Sequence, residues 1–197
     1  MTDLNQLIIQ FDYEKNFKDD DFYVSKSNKH IFDMLNNWPG WEKKFLNISG
    51  EKYSGKTHLI NIFIKKFNGI KFDAKSIKDE DLKKIKIHEN IILEDLEEKI
   101  DEKLIYSLLN IIDIDNKFII ITSKKPIVDL NFLLKDLKSR ATNFIIQKIE
   151  KPDEDLMFAM ILKNFSDRQI LIDKKLINFI IKRIDRSYSK IFDFIYK

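Results

Sequence analysis

The sequence predicts an α/β fold, a P-loop core with a parallel sheet dressed by helices, followed by a small all-helical lid. Three observations carry that expectation. Gly50-Glu51-Lys52-Tyr53-Ser54-Gly55-Lys56-Thr57 is a P-loop set between the apolar run Phe45 to Ser49 and a helical pattern from His58 to Phe67. Strand and helix patterns then alternate as far as Glu150, the order of a right-handed parallel α/β sheet. From Pro152 onward the periodicity is helical and no strand pattern recurs.

Length and composition bound the rest. The 197 residues suffice for one α/β core and a small satellite, and are too few for two large domains. With 44% hydrophobic and 34% charged residues the chain reads as soluble and globular, and no apolar run approaches the ~20 residues of a membrane span. The N-terminus lacks a basic-then-apolar leader pattern, so a cytoplasmic location is expected. Absence of cysteine excludes disulfides and thiolate metal sites, and the three histidines, His30, His58 and His88, are scattered. The net charge of +3 comes from 35 bases and 32 acids that are interspersed, which describes a solvated surface and not a nucleic-acid patch. Lysine dominates the cations, so the few arginines, Arg140, Arg168, Arg183 and Arg186, stand out: guanidinium geometry is what lysine cannot imitate.

Residues 1–21 read as an N-terminal tether. Gln6-Leu7-Ile8-Ile9-Gln10-Phe11 is a short apolar peptide separated from the core by the charged stretch Asp12 to Asp21. It reads equally as an edge strand, a disordered tail, or an anchor placing Leu7, Ile9 or Phe11 in a partner's groove. Phe22 to Asn28 leads into a helix over Lys29 to Trp38, with Ile31, Met34, Leu35 and Trp38 on one face and Ser27 or Asn28 as cap. Pro39-Gly40 ends it. After the P-loop unit come a strand over Ile70 to Phe72 and a charged helical stretch from Ser76 to Ile85. The strand Asn90 to Leu96 then ends in paired acids, and a helix follows from Leu104 to Ile112. Lys117 to Ser123 is a buried strand of the parallel-sheet kind, Phe132 to Arg140 a helix, and Phe144 to Ile146 the last strand. The α/β region therefore covers 22–150. The lid covers 151–197, with helices over Asp155 to Phe165, Lys174 to Ile184 and Ser187 to Tyr196.

The P-loop chemistry follows from its residue types. Gly50 and Gly55 let successive backbone N–H groups wrap the α- and β-phosphates of a nucleotide at a helix N-terminus, where the dipole also favours anions. Ser54 completes the turn, Lys56 reaches the outer phosphates, Thr57 ligates Mg2+, and His58 follows on the first helical turn. ATP or ADP with Mg2+ is the expected cofactor. Glu94 and Asp95, closing a strand downstream of a P-loop, are expected beside the metal and the attacking water, with Glu94 as a second metal ligand.

The order of P-loop, acidic strand end, polar strand end at Thr122-Ser123, Leu137-Lys138-Ser139-Arg140 and helical lid resembles the AAA+ ATPases, and in detail their DnaA/Hda branch. The match covers nearly the whole chain, with the P-loop its one individually specific motif. Phe22 to Asn28 resembles that branch's adenine-side segment, which implies Tyr23 and Val24 as base contacts. Ile120 to Pro126 is similar to its sensor-1 strand, Leu137 to Arg140 to its arginine-finger motif, and Ile184 to Phe192 to its sensor-2 helix with Arg186 on the sensor arginine, which implies that Arg186 reaches the nucleotide phosphates from the lid.

The resemblance is greater to the Hda-type regulator than to the initiator. It implies docking on the DNA polymerase sliding clamp through Gln6, Leu7, Ile9 and Phe11, and stimulation of ATP hydrolysis by DnaA through Arg140. An initiator carries a helix-turn-helix domain after the lid; the 197 residues leave no room for one, so no direct sequence-specific DNA binding and no membrane contact are expected. Self-association is left open. Glu94 in place of the branch's usual aspartate, and Lys124 in place of its acidic sensor, imply tight nucleotide binding with slow intrinsic hydrolysis. An active ATPase that loads or remodels replication proteins is the alternative. A small-molecule phosphotransferase is disfavoured, because the C-terminal third reads as a lid.

Overall fold

A computed structural model describes residues 22–196. Its centre is a five-stranded sheet in the order β2-β3-β4-β1-β5, built from β1 (Phe45–Ser49), β2 (Ile70–Asp73), β3 (Asn90–Leu96), β4 (Phe118–Ser123) and β5 (Ile145–Lys148). Every neighbouring pair is parallel, with Phe45 opposite Ile119, Leu46 opposite Ile145, Ile70 opposite Ile91 and Asn90 opposite Phe118. The reversal of chain order beside β1 leaves a crevice at its carboxyl end, the place where open parallel sheets bind ligands.

Helices cover both faces, which is why β3 and β4 are apolar almost throughout. On one face, Leu46, Ile48, Ile92 and Ile120 pack against α1 (Lys29–Asn36) and α2 (Lys56–Phe67), whose Ile31, Leu59, Ile60 and Phe63 are fully buried. On the other, Ile91, Leu93, Ile119 and Ile121 meet α4 (Glu102–Ile114) and α5 (Lys135–Ala141). The stretch expected as a helix over Ser76 to Ile85 is instead a 3-10 turn, Asp79–Asp81, and one short turn of helix, α3 (Leu82–Ile85). Lys78 to Asp81 offers no apolar residue to a helix face, so the stretch is anchored at its ends, by Ile77 on one side and by Leu82 and Ile85 on the other.

The C-terminal lid has its own core. Met157 and Ile161 of α6 (Glu154–Asp167), Ile177 and Ile181 of α7 (Lys174–Ile181), and Ile191 and Ile195 of α8 (Tyr188–Tyr196) form a separate buried cluster. Asp153 starts α6 and Asp173 starts α7, each accepting a first-turn backbone N–H. Leu156 and Tyr188 leave that cluster and join the sheet-face core, so the lid is packed onto the α/β unit.

One polar side chain inside β1 ties the sheet together. Asn47, fully buried, donates from Nδ2 to Ile121 O at 3.0 Å and to Ser123 Oγ at 2.9 Å, while its Oδ1 accepts from the Ile127 N–H at 2.9 Å. Asn47→Leu leaves the Ile127 N–H buried without a partner. It is expected to lower unfolding free energy by about 2–3 kcal/mol, read as a drop in the urea midpoint at constant slope.

Candidate functional site

The P-loop is shaped by what its two glycines allow. A Cβ on Gly50 would lie 2.8 Å from Ser54 Oγ and 3.1 Å from Ile149 Cβ, and the Gly50 N–H donates to Ser123 O at 3.1 Å, so the loop starts pressed against the sheet. Gly55 has φ +89°, a left-handed conformation at the N-cap of α2, and a Cβ there would crowd Phe22 at 3.2 Å. Tyr53 takes φ +69° without the excuse of being glycine. Lys56 Nζ donates to the carbonyl oxygens of Gly50 at 2.9 Å and Glu51 at 3.0 Å. Burial pushes its ammonium below the ordinary lysine value, against the pull of Asp95 first, then Glu94 and Glu51.

The loop opens onto a cavity of about 470 Å³ between the α/β unit and the lid. Tyr23, Ser54, Gly55, Lys56, Thr57, His58 and Asp95 line its inner side; α6 contributes Met160, Lys163 and Asn164, and α8 contributes Tyr188 and Phe192. Ser54 Oγ is buried with no hydrogen-bond partner among the described residues, although it faces this space. That orphan hydroxyl, a buried lysine and a helix N-terminus are a donor set suited to a polyphosphate.

Two neighbours fix the inner wall. Asn28 stands at the N-cap of α1, but its side chain turns back instead of bonding the first turn: its Oδ1 accepts from Ser25 N at 2.9 Å and its Nδ2 donates to Tyr23 O at 3.0 Å, holding the 22–28 segment in place. Phe22 stacks on Phe32 and meets His58 edge-on at 5.2 Å. Tyr23 is thereby brought to the cavity, while Val24 is not among its lining residues.

The paired acids divide. β3 and β4 lose register between Leu93 and Leu96, and Asp95 adopts φ +55°. Its N–H donates to Thr122 Oγ1 at 3.0 Å, so the polar end of β4 steers Asp95 into the cavity. Glu94, expected there as metal ligand and catalytic acid, lies outside the lining: its Oε2 sits 3.0 Å from Lys71 Nζ on β2 and its Oε1 is buried without a partner among the described residues. Strand alternation turns Glu94 toward the α2 side, where Lys71 also reaches Asn61.

Arg186, expected over the phosphates, is likewise elsewhere. It precedes the first residue of α8, is exposed, and pairs with Glu154 at the start of α6. Arg140 ends α5 near the amino ends of β1 and β4, beside Lys44 and Asn116. Its guanidinium lies 3.2 Å from Asp113 and over the Tyr106 ring at 5.5 Å, one quarter exposed. Gln6, Leu7, Ile9 and Phe11 fall outside the described residues. Among the described residues no helix is long and apolar enough to cross a membrane, and no cluster of three or more His, Cys, Asp or Glu side chains is placed to hold a metal.

Sequence reasoning missed Glu51 and Tyr53 as structural actors. Both side chains leave the P-loop for the lid, reaching residues more than 130 positions away, and no local pattern marks such a contact.

No protein-family model matches the chain. The chromosomal replication initiator protein DnaA of Borreliella afzelii (strain PKo) is 25% identical over 198 residues, an alignment covering 87% of this chain and 41% of that protein. The chain therefore spans less than half the length of that relative. Among solved structures, domain III of the Thermotoga maritima DnaA matches with TM-score 0.71 at 17% identity, over 90% of this chain and 85% of that one. AMPPCP-bound DnaA from Aquifex aeolicus matches with TM-score 0.68 at 20% identity, over 86% and 61%. RuvB of Thermotoga maritima, a Holliday junction branch migration motor, matches with TM-score 0.64 at 16% identity, over 87% and 61%. The chain has the AAA+ P-loop fold with a helical lid, and in sequence it is similar to the replication initiator DnaA.

Proposed function

We propose that this chain is a nucleotide-binding AAA+ regulator of replication initiation, of the Hda type, which makes the initiator DnaA hydrolyse its ATP. The observation that carries the reading is the placement of Arg140 and Lys56 at opposite ends of β1. Roughly 17 Å of strand separates the edge holding the P-loop from the edge holding Arg140, from five residues at about 3.3 Å each. Arg140 is out of reach of its own chain's phosphates, and the exposed quarter of its side chain is open to a neighbour's.

In its own site the chain would hold ATP or ADP by the amides of Gly50 to Thr57, with Ser54 Oγ, Lys56 Nζ and Thr57 on the phosphates and Tyr23 beside the base. Thr57 and Asp95 fit Mg2+, whose charge would offset that of the phosphate oxygens. Glu94 is paired with Lys71 and lies outside the cavity lining, which accords with slow intrinsic turnover. Lys163 and Asn164 approach from the lid. The N-terminal peptide is assigned to the sliding clamp by its resemblance alone.

The test is ATP hydrolysis by DnaA with and without this protein on clamp-loaded DNA. Acceleration supports the regulator. No acceleration, together with rapid ATP hydrolysis by the chain alone, would replace it by the loading or remodelling ATPase.

A further inference from the structure

The lid is fastened to the phosphate loop itself. Glu51 Oε1 accepts from Ser187 Oγ at 2.5 Å and from the Ser189 N–H at 3.3 Å, and its Oε2 accepts from the Tyr188 N–H at 3.1 Å. A carboxylate on the second residue of the P-loop thus caps α8, a helix that starts 137 residues later. Two positions on, the Tyr53 ring lies flat on Phe192 with centroids 3.7 Å apart and planes 2° from parallel, and Phe192 lies on Tyr196 at 4.3 Å. Burial alone would raise the Glu51 carboxyl; the bonds from Ser187, Ser189 and Tyr188 outweigh it and hold the group below the ordinary glutamate value. The lid's Arg186 is meanwhile spent on Glu154, a residue of the lid itself.

We infer that the side chains of Glu51 and Tyr53 are positioning groups that dock the lid, so that nucleotide affinity in this chain depends on a side-chain contact between P-loop and α8. The inference rests on the reading of the cavity as a nucleotide site. Half of that cavity is lid, so it is complete only while α8 is docked. Apparent affinity scales with the docked fraction, and a cap of this kind shifts a docking equilibrium by about tenfold. Because the same eight residues wrap the phosphates and hold the lid, any rearrangement of the loop on binding is transmitted to α8 directly.

The experiment uses the full chain and the variants Glu51→Ala, Glu51→Gln, Ser187→Ala and the Glu51→Ala/Ser187→Ala pair, each checked by thermal unfolding. Hydrogen exchange at the Tyr188 and Ser189 amides without nucleotide reads docking, and ADP titration calorimetry reads the site. Glu51→Ala is expected to speed exchange at both amides and to weaken ADP about tenfold. Ser187→Ala, which lies outside the cavity lining, should weaken ADP about threefold, and the pair should be no worse than Glu51→Ala alone. Glu51→Gln, still an acceptor, should recover part of both effects. Unchanged amide exchange in Glu51→Ala, or additive losses in the pair, would overturn the inference. Should Glu51→Ala not fold, Ser187→Ala carries the test, with unchanged exchange at both amides as the overturning result. A wild-type chain that binds no ADP would sink the nucleotide reading instead, and the exchange arm would still decide the docking contact.

Discussion

Arg140→Ala is expected to remove about a thousandfold of stimulated ATP hydrolysis in the partner while leaving the chain's own ADP affinity within twofold. A guanidinium supplied in trans to a γ-phosphate contributes on the order of 4 kcal/mol at the transition state, which is that factor in rate. Against it stands the pair with Asp113, a residue 58% exposed, and such solvated pairs contribute at most about 1 kcal/mol. The larger effect wins: Arg140 can exchange Asp113 for a phosphate at small cost. The Tyr106 ring, 5.5 Å from the guanidinium, would keep it oriented during that exchange. Lysine at this position keeps the charge and loses the two-pronged geometry, so Arg140→Lys should recover only a small part of the rate. The measurement is phosphate release by the initiator under saturating regulator. Full stimulation by Arg140→Ala would assign the arginine to the surface pair alone and leave the regulator reading without its chemistry.

The α/β core was legible because buried parallel strands have little choice. Ile91 to Leu93 and Ile119 to Ile121 must satisfy apolar surroundings on both faces, and they read as strands without help from context. The P-loop and α2 were legible because phosphate chemistry fixes residue type and spacing together. Legibility failed wherever direction was decided by something other than period. Alternation along β3 cannot foresee the bulge that sends Asp95 to the cavity and leaves Glu94 against Lys71, since one left-handed residue changes what every later side chain faces. Arg186 was placed from its neighbours in sequence, yet α8 begins two residues later, and before a helix starts the side chain obeys the loop. Asn28 holds the N-cap position that its residue type favours, yet its side chain bonds the Ser25 N–H and the Tyr23 carbonyl and not the first turn of the helix. Glu51 occupies a P-loop position that phosphate chemistry does not specify, and its partners appear only when α8 folds back on the loop.

Lys56→Met should weaken ADP and ATP about a hundredfold in calorimetric titration while moving the unfolding midpoint by only a few degrees. Lys56 is 8% exposed, so its ammonium has lost most of its hydration and gains correspondingly more from an anion placed against it. Losing charge-assisted bonds to phosphate oxygens costs about 2.7 kcal/mol, the equivalent of that hundredfold. Stability is a different balance, with terms that nearly cancel. Methionine fills the same slender space and removes a buried cation, which favours the folded state, but it gives up the bonds to the Gly50 and Glu51 carbonyls. The Glu51 carbonyl still accepts from Ser54 N at 3.2 Å, so only Gly50 O is left short, a loss on the order of 1 kcal/mol. The two readouts therefore separate two roles that the position of Lys56 confounds. A large fall in stability with unchanged affinity would make Lys56 a brace for the loop. The opposite result, affinity lost from an intact fold, requires an anion at the N-terminus of α2, where the cavity between the α/β unit and the lid opens.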